Sequence, residues 1–195
     1  LAAGLDHVED FKNEQAIDNI DVMAKGHVEI DDDFTMTMSN VEVKRVDGFN
    51  AVFIPLSEFN ETMKDIVNGS HLNQYWYNSQ STYRVKEISE KGITLIEKTV
   101  KQMMGLTVFG LSPRSLLQAM AMDALMDETV SVVNLIGGAG SGKTILSLAC
   151  AMEQSPMGEN PRYKKIILAR NTPPLAEDIG FLPGDESEKM APWLA

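Results

Sequence analysis

The sequence predicts an α/β fold: a parallel sheet, incomplete in this chain, preceded by a small β-rich connector and a short helical tail. Three observations predict it. Two apolar runs, VSVVNLI (130–136) and KKIILA (164–169), flank a glycine-rich loop and an apolar helix, the order of a βαβ unit. Residues 27–56 alternate polar and apolar positions or cluster β-branched ones, the mark of half-buried strands. Residues 1–25 instead read as helix or helix ends, with Gly26 as a stop after Lys25. The expected divisions are therefore 1–25, 26–110 and 111–195.

Within the connector, HVEI, TMTMS, VEVKRV and NAVFIPL read as strands of a small antiparallel sheet, with DDD and DG as turns. SEFNETMKDIVN (57–68) reads as a short helix capped by Ser57, with Phe59, Met63 and Ile66 on one face. Residues 82–101 read as a hairpin turning at EKG. Ser112-Pro113 is a cap followed by a first-turn proline. Leu116, Leu117, Met120, Ala124 and Leu125 then recur at helical spacing. The run 130–136 is continuously apolar, as a strand covered on both faces requires.

Charge sharpens this division. The net charge is −11, and residues 1–70 hold 15 Asp/Glu against 5 Lys/Arg. The remainder is nearly balanced, so no generic basic footprint for nucleic acid is present, although a local groove in that part is compatible with the balance. No apolar run approaches the ~20 residues of a membrane span, so no membrane is expected as a partner. The single Cys150 and the missing basic-then-apolar leader are expected of a cytoplasmic protein. The chain opens on Leu, and reads as a piece of a longer protein.

The most informative stretch is GGAGSGKT, 137–144, which fits G-x-x-x-x-G-K-[ST] without mismatch between an apolar run and a helix. This marks a P-loop NTPase. Gly137, Gly138, Ala139, Gly140, Ser141 and Gly142 form a loop whose backbone N–H groups cradle phosphate oxygens, helped by the positive end of the next helix. Lys143 reaches the β- and γ-phosphates, and Thr144 places its hydroxyl on Mg²⁺. The expected cofactors are a nucleoside triphosphate and Mg²⁺, with Lys143 and Thr144 as the catalytic pair. Beyond the helix TILSLACAMEQ no segment of four apolar residues ends in Asp or Glu, so the second Mg²⁺-linked acid and the residue that orients water are not found here. Asp127-Glu128 lies before the loop, on a helix.

GLSPRSLLQAMAMDALMDETVSVVNLIGGAGSGKTILSLACAME resembles the opening of the PhoH-like ATPase domain, which shows a Pro-Arg-Asn-x-x-Gln helix, a buried strand and G-x-A-G-[ST]-G-K-T. RNTPPLAEDIGFLPGDESEKMAPW is similar to a second motif of the same family, and the part from Asp178 to Trp193 is the more discriminating. Two departures stand out: the family Asn is Ser115, and its Arg-Pro is Arg170-Asn171-Thr172-Pro173. The resemblance implies ATP as the nucleotide, with Gln118 bonding the adenine edge through its paired donor and acceptor. It implies a contact of Arg170 with phosphate, nucleic acid or a neighbouring subunit. It further implies hydrolysis coupled to work on single-stranded RNA, and assembly into homo-oligomeric rings. LAAGLDHVEDFKN resembles the end of a PIN-like domain, which precedes the ATPase in one subgroup. Glu9 and Asp10 alone cannot form a nuclease site. Two other readings of the loop stay open: a P-loop kinase of a small molecule, and a non-catalytic nucleotide-binding module.

Weaker signals have plainer readings. Asp31-Asp32-Asp33 lacks calcium-loop spacing and reads as a solvated turn. His7, His27 and His71 are too scattered for a metal site. Tyr75-Trp76-Tyr77 could stack on bases, but three consecutive aromatics more simply anchor the connector to its neighbour. Cys150 reads as a small core residue, and the twelve Met as adaptable packing.

Overall fold

Six strands and four helices account for the regular structure of a computed structural model that describes residues 25–34, 40–46, 48–159 and 161–169. Strands β1 (His27–Glu29), β2 (Glu42–Val46), β3 (Phe49–Pro55), β4 (Tyr75–Tyr77), β5 (Ser81–Ser89) and β6 (Gly92–Thr99) form one sheet in the order β1-β4-β5-β6-β3-β2. Every pairing is antiparallel except β1 with β4. The connector is thus a mixed sheet, and YWY supplies a strand that its aromatic composition alone did not reveal.

Period-two alternation divides the sheet into two faces. Ile54 pairs with Ile93, Val52 with Leu95, and Leu95 with Val85, so these apolar side chains share one face. Trp76 and Tyr83 continue that face, and Phe34, Phe59 and Val67 close over it. Phe34 meets both Trp76 and Tyr83 edge-on, at ring separations of 5.7 and 5.6 Å. The cover is α1 (Glu61–Asn68), whose N-cap is Asn60, accepting the Met63 N–H at 2.9 Å. Ser57 is therefore not the cap; Leu56–Glu58 form a separate 3-10 turn, and the buried Phe59 is extended between the two.

The opposite face carries Tyr75 and Tyr77 on β4, Thr82 and Arg84 on β5 and Lys98 on β6. Against it lie α2 (Val100–Met104) and α3 (Leu116–Met126), through Tyr75, Met103, Ala119 and Met120. Thr99 and Gln102 cap α2 reciprocally. Helix α3 starts later than Ser112-Pro113 suggests. Its cap is Ser115, which accepts the Gln118 N–H at 3.3 Å. Ser112 instead bonds Thr107 across the tight turn Val108–Leu111, and Pro113 is buried. Helix α4 (Lys143–Glu153) packs on the far side of α3 through Met122, Leu146 and Cys150. An apolar helix such as α3 is what a position between two layers demands.

The two expected parallel strands are not formed. Residues 130–136 and 164–169 have no ladder partners among the described residues, and Val132, Ile136, Ile167 and Leu168 are exposed. Val133 and Leu135 are half-buried while their neighbours face solvent, so 132–136 keeps a strand's alternation without its hydrogen bonds. The observed sheet belongs to the connector. Residues 1–24, including the stretch likened to a PIN-like domain, TMTMS (35–39), Arg170 and the motif Asp178–Trp193 lie outside the described residues.

Candidate functional site

The glycine-rich loop folds as its composition requires. Gly140 and Gly142 take φ of +75° and +91°, backbone conformations that side chains with a Cβ rarely adopt. Gly142 is the N-cap of α4, and its carbonyl accepts the Leu146 N–H at 3.0 Å. The first turn of α4 thus opens directly into the loop, with its unpaired N–H groups at the loop's mouth. The positions that a Cβ would occupy on Gly138 and Gly140 face open space. The loop therefore presents its backbone without side-chain cover at these two positions, which fits a phosphate group.

Lys143 is folded back across the loop. Its Nζ donates to the carbonyls of Gly137 and Gly138, each at 2.7 Å, and to Ser141 Oγ at 3.2 Å. Three oxygens therefore hold the ammonium where phosphate oxygens can replace them. Thr144 is exposed on the first turn of α4.

Gln118 is brought to the loop from α3. Its Nε2 donates to the Ser141 carbonyl at 3.1 Å, and its Oε1 accepts the Arg114 N–H at 2.7 Å. A Cβ on Gly142 would lie 3.0 Å from that Nε2, so the glycine also permits this approach. The amide retains a second proton and a second lone pair.

A second constellation was not read from the sequence. Arg84 Nη1 lies 2.8 Å from Asp127 and 3.6 Å from Asp123, while its Nη2 donates to Asn73 at 2.8 Å. Lys98 pairs with Asp123, and the Tyr75 hydroxyl donates to Asp123 at 2.7 Å. These groups are largely buried; the Asp123 side chain is only 8% exposed. Burial works against ionisation of Asp127, but the Thr129 hydroxyl and N–H and the Arg84 guanidinium outweigh it and hold the carboxyl below its usual range. Burial and the Asp123 charge raise the Tyr75 phenol far above its ordinary value. The signal was available: Leu116, Ala119, Met120, Asp123, Ala124 and Asp127 form one helical stripe, with two acids among core positions.

The remaining candidates resolve simply. Asp32 accepts the Ser79 N–H at 2.9 Å, which lowers its carboxyl within a turn. Tyr75 and Trp76 are buried on opposite faces of the sheet, so neither presents a stacking platform. Cys150 is buried against α3, and burial with the nearby Glu153 charge pushes its thiol up to about 11. Two surface cavities, of about 670 and 430 Å³, are lined by neither the loop nor Gln118. Among the described residues no helix is long and apolar enough to cross a membrane.

Comparison with known proteins covers the segment that carries the loop. Residues 110–195 match the family model described as PhoH-like protein. The chain is 31% identical over 189 residues to Protein PhoH2 of Bacillus subtilis, an alignment covering 95% of this chain and 38% of that protein. It is 44% identical over 90 residues to Protein PhoH2 of Mycolicibacterium smegmatis, covering 44% of this chain and 20% of that protein. A PhoH-like protein of Bacillus subtilis is 46% identical over 59 residues, covering 30% of this chain and 18% of its own length. The chain thus spans well under half the length of these curated relatives. No solved structure matches it. The glycine-rich loop, Gln118 and α4 all lie inside the matched segment, and through residues 110–195 the chain belongs to the PhoH-like family.

Proposed function

We propose that the chain carries the ATP- and Mg²⁺-binding half of a PhoH-like ATPase. The carrying observation is the loop itself: two glycines at positive φ and an N-terminal helix end, with Lys143 Nζ held by three oxygens across the opening. On nucleotide binding the ammonium would exchange those oxygens for phosphate. The Gly138–Gly142 N–H groups would take the remaining phosphate oxygens, and the Thr144 hydroxyl would ligate Mg²⁺. Gln118 stands beside the loop with a free proton and lone pair, which supports the adenine-reading role.

In the longer protein, hydrolysis would be coupled to RNA processing or unwinding in a cytoplasmic homo-oligomeric ring, with a PIN-like domain preceding this segment. The second Mg²⁺-linked acid would come from sequence beyond residue 195. Calorimetry with ATP and Mg²⁺ tests the binding reading. The chain should bind, and Lys143→Ala should weaken binding at least about tenfold, as loss of a charged hydrogen-bonding group predicts. Equal affinity in the variant refutes it. ATP turnover by the full-length protein with and without single-stranded RNA tests the coupling, and turnover that ignores RNA refutes that part.

A further inference from the structure

The ion-pair network sits at the joint between the sheet and the helix that touches the loop. We propose that Arg84, on the connector sheet, is a positioning residue for the phosphate loop. Gripping Asp123 and Asp127, it fixes α3 in the register that lets Gln118 hold the Ser141 carbonyl. The inference rests on the reading of residues 137–144 as a nucleotide site.

The physical case begins with what α3 lacks. Its contacts with the sheet and α2 are Leu116, Ala119, Met120 and Ala124, against Met103, Met104 and Tyr75. Its contacts with α4 run through Met122, Leu125 and Met126. Methionine packs adaptably and alanine offers only a methyl to interlock, so these surfaces hold the helix without strongly specifying its rotation or slide. Charge supplies that specification. Asp123 and Asp127 are one turn apart, and a single guanidinium reaches both. Lys98 and the Tyr75 hydroxyl fix Asp123 from the neighbouring strands. A slide of one turn would move a carboxylate out of reach and leave a buried charge unpaired, which buried ion pairs penalise heavily. The same helix carries Gln118 nine residues before Asp127, roughly 13 Å along its axis. There the amide touches Ser141 within the loop and Gly142 at its end. Sheet, α3 and loop are thus joined by two polar contacts at opposite ends of one helix. The connector becomes part of the nucleotide site without touching it.

The test is a double-substitution cycle on ATP affinity, measured by calorimetry with Mg²⁺. Arg84→Met should weaken binding roughly 2- to 30-fold, the range for coupling through packed elements. Asp127→Asn, a milder change at a half-buried position, should act in the same direction and covers the case in which Arg84→Met fails to fold. Arg84→Lys should restore part of the loss. In a Gln118→Ala background, neither substitution should weaken binding further, because the link they act through is gone. Val52→Ala, which loosens the far face of the sheet, should leave affinity unchanged. Wild-type affinity in folded Asp127→Asn overturns the proposal and leaves the nucleotide reading intact, as does full additivity with Gln118→Ala. A chain that binds no ATP at all removes both.

Discussion

Adding one methyl group at three glycines of the loop should give three different costs. Gly138 has no positive φ, and a Cβ there meets nothing within 4 Å. Gly138→Ala should be neutral or slightly stabilising, since alanine narrows the unfolded ensemble by about 0.4–1 kcal/mol. Gly140 has φ +75° with the same open space, so Gly140→Ala meets backbone strain alone. Left-handed backbone costs an L-residue about 1–2 kcal/mol, leaving a net loss near 1 kcal/mol after the unfolded-state gain. Gly142 combines φ +91° with a Cβ position 3.0 Å from Gln118 Nε2. Its methyl adds displacement of the Gln118–Ser141 hydrogen bond, worth about 0.5–1.5 kcal/mol. The net for Gly142→Ala is then about 1–3 kcal/mol.

The strain can be relieved by opening the loop alone, so global unfolding is the wrong observable. The Leu146 N–H, which donates to the Gly142 carbonyl, reports the local event. Its hydrogen-exchange protection should fall by roughly 5- to 150-fold in Gly142→Ala, by less in Gly140→Ala, and not at all in Gly138→Ala, at about tenfold per 1.4 kcal/mol. Equal protection in the Gly138 and Gly142 variants would refute the assignment of these backbone conformations.

Other expected outcomes concern the rest of the fold. Gly92→Ala should disrupt the β3–β6 pairing, since its Cβ would run into the Ile54 carbonyl and lie 2.8 Å from the Phe53 ring; loss of the β-sheet circular dichroism signal checks this. Cys150 should react with a disulfide reagent at pH 8 only through opening of the fold, because the thiol is buried and pushed up to about 11; labelling as fast as in urea would contradict this. Since the unfolded thiol ionises near 9 while the folded one keeps its proton, stability should also fall as pH rises from 9 towards 11, and Cys150→Ala should flatten that slope in denaturant titrations. Asp127 works in the opposite direction. Its lowered folded value makes its contribution complete above about pH 4 and lost as pH falls through that value, so Asp127→Asn should reduce the acid sensitivity of unfolding.

Local chemistry was legible wherever the sequence needed no partner. GGAGSGKT marked the loop, because glycine takes φ of +75° and +91° without the strain other residues meet there, and an apolar helix follows directly. The strand pattern of NAVFIPL located β3, and the hairpin turning at EKG located β5 and β6. Capping was read less well: Ser57 and Ser112 were chosen by residue type, whereas Asn60 and Ser115 have the geometry to accept an N–H. The network around Arg84 was missed because its members are scattered from residue 73 to residue 127. Only the register of β4, β5 and β6 brings Tyr75, Arg84 and Lys98 to one face.

The unpaired run 130–136 shows which neighbours the glycine-rich loop rests on. Parallel strands draw their stability from ladder bonds to neighbours and from cover on both faces. Here no described segment supplies either, and the run stays unpaired with Val132 83% exposed. The loop beyond it keeps its left-handed glycines, its lysine and its helix cap. What holds it comes from the other side: α4 on α3, Gln118 on Ser141, and α3 on the connector sheet. The glycine-rich turn therefore depends on the helix that follows it more than on the strand that precedes it. That ordering makes the connector, remote in sequence, a support for the glycine-rich loop.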